Sequence, residues 1–329
     1  MYAFEDIRRL EIEPTNQCQA RCPQCLRTPP DGTVNKFLRD ELSLDVIRNQ
    51  IPVGFWAQLT NINFQGSTGD CMAHRDIVNI VRYMKLHSPA QITVHTNGGL
   101  GSADTWADLA RVLDPHNKVV FGIDGLADTS PLYRIGVDFD LAIRNAQTFI
   151  SAGGQAEWQY IVFQHNQHQI EQAKQLSRDL GFQKFWLRSS GRFEGKGYQD
   201  VYDKGTVTHR LEPATIKVNS YVEGEYKQNI QTTAIDCEAI DTKWIGIYAD
   251  GTVWPCCHLM GWHRIPNYGL SNLINKKKII EVVGDYSQID LHTHTLDTII
   301  RSDVFQKNYE KSFTSSQPIP VCVSTCRRR

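Results

Sequence analysis

Residues 10–25 read LEIEPTNQCQARCPQC and place three cysteines directly after a short strand-like segment. Cys18, Cys22 and Cys25 follow the spacing Cys-x3-Cys-x2-Cys, and no further cysteine or histidine occurs before Cys71. Three thiolates so close in sequence suit a soft metal or an iron–sulfur cluster. A closed structural metal site needs four protein ligands, whereas a reactive site keeps one position open. The local count of three therefore indicates either an open site or a zinc site that a distant residue completes.

Length and composition are those of an ordinary globular protein. The chain has 329 residues, of which 22% are charged and 41% hydrophobic, enough for one large domain and one small one. The net charge of -1 gives no general attraction to nucleic acid or to an anionic membrane. No apolar run is long enough to span a bilayer, and the start MYAFEDIRRLEIE does not have the pattern of a signal peptide. These features predict a cytoplasmic protein without a membrane partner.

The nine cysteines are concentrated towards the two ends of the chain. Without an export signal, such cysteines indicate metal binding or catalysis more than disulfides. Beyond the first three, they stand at positions 71, 237, 256, 257, 322 and 326. The sequence therefore predicts two separate cysteine sites.

Strand-like and helix-like segments alternate from residue 9 to about residue 188. We expect strands at Leu10–Glu13, Leu59–Phe64, Gln91–His95, Lys118–Ile123, Glu157–Phe163 and Lys184–Leu187. Helical patterns lie between them near 43–51, 74–87, 103–113, 138–152 and 167–180. This order predicts an α/β fold with a parallel sheet and right-handed crossovers.

Several helix ends carry recognisable signals. Ser43 and Ser102 are candidate N-caps, and Asn166 with Gln169 three residues later resembles a capping box. Gly181 stands where a glycine commonly ends a helix.

The second half of the chain has a different pattern. Residues 191–230, rich in glycine and charge at their start, are predicted to be a connector, and a small α+β unit is predicted over 231–329. Within that unit, WIGIYADGTVWPCC (244–257) predicts a hairpin with an Asp-Gly turn. Helices are expected near 271–283 and 296–310, and the final Arg327–Arg329 is interpreted as a solvated tail.

The cysteine spacing and its position after the first strand resemble the radical S-adenosylmethionine (SAM) superfamily. The resemblance implies a partial (β/α)6 TIM-like barrel over residues 1–190. It also implies that Cys18, Cys22 and Cys25 hold a 4Fe–4S cluster whose fourth iron is chelated by SAM. In parallel barrels the functional loops follow the carboxyl ends of the strands, where these cysteines are expected.

Segments after the next strands resemble SAM-binding segments of that family. NFQGSTGD (63–70) is similar to its Gly-Gly-Glu-Pro-like loop, HTNGG (95–99) to its Thr-Asn-Gly segment, and a Tyr-Arg pair to a pattern whose arginine binds the SAM carboxylate. The SAM-contacting residues so implied are Gly66, Ser67, Thr68, Gly69, Asp70, Thr96, Asn97, Gly98, Asp124 and Arg134. Plain turns and a surface arginine are the simpler alternatives. The residue before the third cysteine is Gln24, where the family usually has an aromatic or apolar contact to adenine.

The C-terminal cysteines resemble the auxiliary-cluster domains called SPASM and twitch. The full SPASM pattern has seven cysteines, whereas the C-terminal part of this chain has five, so the twitch form with one extra cluster fits better. The implied ligands of a second 4Fe–4S cluster are Cys237, Cys256, Cys322 and Cys326, with Cys257 as an alternative to Cys256. A zinc ribbon is the other interpretation of this pattern.

The resemblance as a whole implies an enzyme that reductively cleaves SAM to a 5′-deoxyadenosyl radical and abstracts hydrogen from a substrate. It implies an external one-electron reductant, and a substrate that is a peptide or protein, slightly favoured, or a small metabolite. No catalytic residue beyond the cofactor ligands is assigned, and a nucleic-acid partner is not expected. The opposing hypothesis is a non-catalytic zinc-binding protein whose two cysteine sites form a binding module.

Overall fold

All six strands expected in the first half of the chain are present. The computed structural model describes residues 1–29, 39–193, 197–218, 235–261, 263–264 and 270–326. The strands are β1 (Arg9–Ile12), β2 (Asn61–Phe64), β3 (Gln91–Thr96), β4 (Lys118–Gly122), β5 (Ala156–Val162) and β6 (Lys184–Ser189). The described part of the second half adds four strands, β7 (Gln199–Asp203), β8 (Thr206–Leu211), β9 (Trp244–Ile247) and β10 (Val253–Trp254). A short helix, α8 (Glu238–Thr242), precedes β9.

Helices separate the strands of the first half, as the alternating pattern predicts. They are α1 (Leu44–Gln50), α2 (Val53–Ala57), α3 (Ile77–His87), α4 (Ala103–Val112), α5 (Ser130–Tyr133), α6 (Phe139–Ser151) and α7 (Ile170–Asp179). The C-terminal helices are α9 (Leu270–Val283), α10 (Leu296–Arg301), α11 (Tyr309–Phe313) and α12 (Pro320–Cys326). A π-helical turn, Val304–Asn308, interrupts the single helix expected over 296–310. No helix in the described ranges is long and apolar enough to cross a membrane.

One eight-stranded sheet organises the molecule, in the order β10-β9-β1-β2-β3-β4-β5-β6. Strands β1 to β6 pair in sequence and in parallel, which confirms the α/β class and the partial TIM-like barrel. Strand β9 pairs in parallel with the free side of β1, and β10 pairs antiparallel with β9. The hairpin expected at 244–257 is therefore present. It extends the barrel sheet across the domain boundary expected at residue 231, and the three-part division of the chain stays a prediction.

The two faces of the barrel strands differ in polarity because side chains alternate along a strand. One face is apolar and buried, as at Leu10, Ile62, Val94, Phe121 and Trp158. Ring contacts on this face bind sheet to helices: the Trp106 ring of α4 lies 5.2 Å from that of Phe121 and 6.1 Å from that of Phe149 on α6. A fully buried aromatic side chain contributes about 1.5–3 kcal/mol to folding. The apolar face therefore anchors the helices.

The opposite face carries the polar residues that alternate with this apolar set. The register places Glu11 beside Asn63, Asn63 beside Thr93, and Thr93 beside Lys118. A charged pair closes this row, since Lys118 Nζ lies 2.9 Å from Glu157 Oε1. The inside of the partial barrel is therefore polar.

Three of the expected helix-end signals are present and one is wrong. Ser43 and Ser102 accept hydrogen bonds from the backbone N–H groups three residues later, and Gly181 follows α7 with φ +86°. Asn166 does not form a capping box. Its side chain is fully buried beneath the loop after β4. There it accepts a hydrogen bond from Phe163 N at 2.8 Å and donates one to Asp124 O at 3.1 Å.

The segment expected to be a connector contains an antiparallel hairpin, β7–β8. The hairpin lies against the cysteine loop: Gln199 donates to Pro23 O at 2.7 Å, and Arg21 forms an ion pair with Asp203 at 3.3 Å. Residues 219–230 of the predicted connector and the tail Arg327–Arg329 lie outside the described residues. The hairpin therefore packs against the cysteine loop.

Candidate functional site

A large cavity lies at the carboxyl ends of the barrel strands. Its volume is about 1100 Å³. Most of the site residues expected from the sequence line it together: Cys18, Cys22, Cys25, Gly66, Ser67, Thr68, Gly69, Asp70, Thr96, Asn97 and Arg134. Loops that are up to 116 positions apart in sequence (18 and 134) therefore meet in one place.

The three cysteine sulfurs of this cavity are surrounded by hydrogen-bond donors. Cys18 Sγ accepts from Ala20 N at 3.4 Å and from Asn97 Nδ2 at 3.5 Å, and Cys25 Sγ accepts from Arg27 N at 3.5 Å. Arg134 Nη1 lies 3.8 Å from Cys22 Sγ. Burial, then the nearby Asp70 and Cys22, raises the pKa of Cys18 to about 12. In the absence of a cation, that thiol is protonated at neutral pH.

A buried glutamate at the end of β1 shapes the Gly66–Asp70 loop. Glu13 is completely buried and accepts from Ser67 N at 2.7 Å and from Thr68 N at 3.1 Å. Burial raises the pKa of Glu13, and the hydrogen bonds from Ser67 and Thr68 oppose that shift. Gly69 fits against the preceding segment so closely that a Cβ would lie 2.1 Å from Thr15 O. Glu13 was not among the site residues expected from the sequence, although its side chain lies on the same face as that of Glu11.

Asp70 connects this loop to the segment after β3. Its carboxylate accepts from Thr96 Oγ1 at 2.9 Å, from Asn97 N at 2.7 Å and from Met72 N at 3.0 Å. Gly98, the remaining residue of the segment, has φ +75° and packs against Phe121, and it is not part of the cavity lining. Asp70 therefore fixes the Gly66–Asp70 loop and the segment after β3 in position relative to each other.

Asp124 and Arg134 form a buried ion pair. Arg134 Nε lies 2.7 Å from Asp124 Oδ2, and Asp124 is fully buried while Arg134 reaches the cavity. Burial acts to lower the pKa of the Arg134 guanidinium, but the Asp124 carboxylate and Cys22 outweigh it and keep the group charged. Asp124 therefore orients Arg134 without itself lining the cavity.

Gln24, the residue that departs from the family pattern, faces the segment after β6. Its Oε1 accepts from Ser190 Oγ at 2.6 Å and its backbone oxygen accepts from Arg192 Nη1 at 2.8 Å. Its Nε2 is buried and has no hydrogen-bond partner in the described chain. Gln24 therefore ties the cysteine loop to residues 190–192.

Four of the C-terminal cysteines lie close together. In each of the six pairs among Cys237, Cys256, Cys322 and Cys326, one sulfur is near enough to raise the pKa of the other thiol, and Asp236 N donates to Cys326 O at 2.6 Å. Burial, then Cys237, raises the pKa of Cys256 to about 12. The Tyr309 hydroxyl beside Cys256 and Cys322 is buried without a partner among the described residues. The four thiols therefore lie near one another in one region of the fold.

Cys257 faces a different environment. After burial, the largest contributions that raise its pKa come from its neighbour Cys256 and from Glu11, Glu13 and Glu238. Burial raises the pKa of Glu11 to about 7, and its Oε2 has no hydrogen-bond partner in the described parts of the structure. Cys257 therefore belongs to the polar inner face of the barrel. Within the described residues, no three His, Cys, Asp or Glu side chains are arranged to hold a single metal ion.

Comparison by sequence finds no relatives. None of the protein-family models compared with the sequence matches it, and no curated protein matches it.

Comparison by structure does find matches. SuiB of Streptococcus suis, bound to S-adenosylmethionine, is 17% identical with a TM-score of 0.51, over 78% of this chain and 61% of SuiB. This chain therefore spans about three fifths of the length of SuiB. The protein anSMEcpe with bound AdoMet is 12% identical with a TM-score of 0.55, over 94% of this chain and 81% of anSMEcpe. The likeness shows that this chain shares their fold, the partial barrel of radical SAM enzymes.

The unusual pKa of Glu11 predicts a pH-dependent stability. An unfolded glutamate has a pKa near 4.5 and the folded one about 7, so the folded state binds the proton more tightly. As pH rises from about 5 to about 8, wild type should lose about 3 kcal/mol of unfolding free energy relative to Glu11→Gln. Urea denaturation at the two pH values measures this. Glu171→Gln, on the exposed side of α7, controls for loss of a charge; a Glu11→Gln difference that is constant with pH would contradict the assignment.

Gly122 leaves the space that Arg134 occupies. A Cβ at Gly122 would lie 2.6 Å from Arg134 Nη2, so Gly122→Ala should push the guanidinium away from the buried Asp124 carboxylate. We expect a loss of about 1–3 kcal/mol in the free energy of unfolding, measured by urea denaturation. Gly54→Ala is the matched control, because no atom lies within 4 Å of its added Cβ. Equal stability of the two variants would refute the steric argument.

Proposed function

We propose that this chain is a radical SAM enzyme in which Cys18, Cys22 and Cys25 hold a 4Fe–4S cluster. The observation that carries the proposal is the shared cavity, where the three cysteines meet the loops after β2 and β3 and Arg134. Three protein ligands leave one iron open for a substrate or cofactor. The shared fold with two proteins that bind S-adenosylmethionine supports this choice.

The surroundings of the three sulfurs fit an iron–sulfur cluster. N–H groups of Ala20, Asn97 and Arg27 point at Cys18 and Cys25, and a guanidinium approaches Cys22. Such donors stabilise the negative charge of a thiolate-bound cluster and tune its potential. Since burial raises the pKa of Cys18 and Cys22, binding of iron would displace their protons.

The Gly66–Asp70 loop, Thr96, Asn97 and Arg134 would hold SAM. When bound, the reduced cluster and SAM supply reductive cleavage of the sulfonium and hydrogen abstraction from a substrate. The Gly66–Asp70 loop, set by Glu13, brings its backbone close to the ligand, and Thr96 and Asn97 are fixed by Asp70. Arg134 would bind the SAM carboxylate with its planar guanidinium, which Asp124 orients from behind.

Cys237, Cys256, Cys322 and Cys326 would hold a second, auxiliary 4Fe–4S cluster. Two observations support this proposal. The four cysteines lie near one another, and the buried Tyr309 hydroxyl beside them has no hydrogen-bond partner among the described residues, as expected if it donates to a bound cluster. Cys257 is not chosen as a ligand because it faces Glu11 and Glu13.

The proposed substrate is a peptide, with a small metabolite as the second candidate. Structures of SuiB with precursor peptide SuiA and of anSMEcpe with the Cp18Cys peptide support a peptide. An external one-electron donor would reduce the clusters.

The first test concerns the SAM-binding cluster. Anaerobically purified protein should be brown and should form 5′-deoxyadenosine from SAM and a reductant, whereas Cys22→Ala should form none, measured by chromatography. Cys71→Ala is the matched control, because Cys71 is buried outside the cavity lining and donates only to His95 O. A colourless protein with stoichiometric zinc would instead support the non-catalytic zinc hypothesis.

The second test concerns the auxiliary cluster. Wild type should contain about eight irons per chain, and Cys322→Ala about four, because one complete set of four thiolates is lost. Cys257→Ala should keep the wild-type iron content. About four irons in wild type, or a loss of iron in Cys257→Ala instead of Cys256→Ala, would overturn this part of the proposal.

A further inference from the structure

Part of the cavity lining is polar and has no role in the proposed binding of the cluster and SAM. It consists of Gln65 directly after β2, His95 and Arg188 near the carboxyl ends of β3 and β6, and Gln159 in the middle of β5. The cavity of about 1100 Å³ is slightly larger than the roughly 300–1,000 Å³ of pockets for one small ligand. A second molecule can therefore bind beside the cofactor half.

The strand register explains why these side chains share one wall. Gln159 of β5 pairs with Trp186 of β6, and Ile161 pairs with Arg188, so Gln159 and Arg188 project from the same face. His95 pairs with Val120 of β4, which also lines the cavity. The wall is therefore fixed by regular strands.

Three of these side chains have no hydrogen-bond or ion-pair partner within the described parts of the chain. They are the imidazole of His95, the amide of Gln159 and the guanidinium of Arg188. Arg188 is exposed to solvent, and His95 and Gln159 are half-buried, so a ligand that enters the cavity can reach all three side chains. The wall therefore offers donors and an acceptor at fixed positions.

The charge of this wall is positive. Arg188 and Arg192 line the cavity, while the only acidic lining residue is Asp70, whose oxygens are occupied by Met72, Thr96 and Asn97. Arg134 is neutralised by Asp124, and Lys118 by Glu157. Because burial, then Arg188 and Lys118, lowers the pKa of His95 to about 4, its imidazole is neutral at physiological pH and can both donate and accept.

We propose that this wall binds an oxyanion of the substrate, a carboxylate or a phosphate, through Arg188, while Gln159 and His95 bind adjacent polar atoms. The inference rests on the proposed function for the statement that the anion belongs to the substrate. A guanidinium suits such a group because its planar fork donates two parallel hydrogen bonds. Arg192, which uses one nitrogen on Gln24 O, adds charge at the same edge.

The test compares charged probes with their uncharged counterparts. The first pair is a capped pentapeptide with a central glutamate and its glutamine counterpart, and the second is ribose 5-phosphate and ribose. Binding to the cluster-loaded full chain with SAM is measured by isothermal titration calorimetry. We expect the anionic member of one or both pairs to bind about tenfold more tightly than the neutral member. Preference in the peptide pair alone indicates an acidic peptide, and preference in the sugar pair alone indicates a phosphorylated small molecule.

Variants locate the effect. Arg188→Gln should remove the preference, and Arg188→Lys should restore part of it, because the charge returns without the bidentate fork. Arg178→Gln, on the exposed side of α7, is the matched control and should keep the full preference. The proposal is overturned if no probe shows a charge preference, or if the preference survives Arg188→Gln.

This outcome is separable from the SAM chemistry. A charge preference that depends on Arg188, in a protein that forms no 5′-deoxyadenosine, would retain the anion site and reject the proposed enzyme. Formation of 5′-deoxyadenosine without any charge preference would do the reverse.

Discussion

The position of β1 between β2 and β9 is the constraint on which both cysteine groups depend. Its parallel pairing with β2 directs the cysteine loop to the carboxyl ends of the barrel strands. Its other edge pairs with β9, and β10 runs back along β9, so that Cys256 lies level with the amino end of that strand. Cys237 precedes α8 and β9 and therefore lies at the same end. One strand thus places the two cysteine groups towards opposite ends of a common sheet, with the polar inner face between them.

Two buried carboxylates then determine how the loops of the site are held. An acidic side chain removed from water is costly unless donors surround it, and Glu13 and Asp70 each accept several hydrogen bonds from loop residues. Because these donors are mostly backbone N–H groups and threonine hydroxyls, the carboxylates fix the path of the chain. The glycines allow close approach, but the acids select the conformation. Asp124 applies the same principle to a side chain, since it holds Arg134 from the side away from the cavity.

The sequence was sufficient for those features that are local. Hydrophobic alternation located the six barrel strands, serines marked two helix starts, and the Cys-x3-Cys-x2-Cys spacing located the loop that shares a cavity with 66–70 and 96–97. Predictions from the sequence were wrong or missing where tertiary contacts determine the local structure. Asn166 has the sequence of a cap but is used to bind the loop after β4, and β7–β8 lack a strong pattern because much of their surface is exposed. Glu13 was missed for a related reason: an acid in an alternating strand normally faces water, and only the fold of the partial barrel, which brings Ser67 and Thr68 onto it, buries it.

Gln24 shows how a local departure from a pattern is explained by a contact far away in sequence. The family usually has an apolar or aromatic residue there, but in this chain the side chain accepts a hydrogen bond from Ser190. Ser190 and Arg192 also line the cavity beside Arg188. An apolar residue at position 24 could not accept this bond, and the Ser190 hydroxyl would lose the acceptor of its proton. The glutamine therefore couples the loop that carries the cysteines to the wall that carries the unpaired arginine, so that a ligand bound at that wall contacts a segment fixed to the cysteine loop.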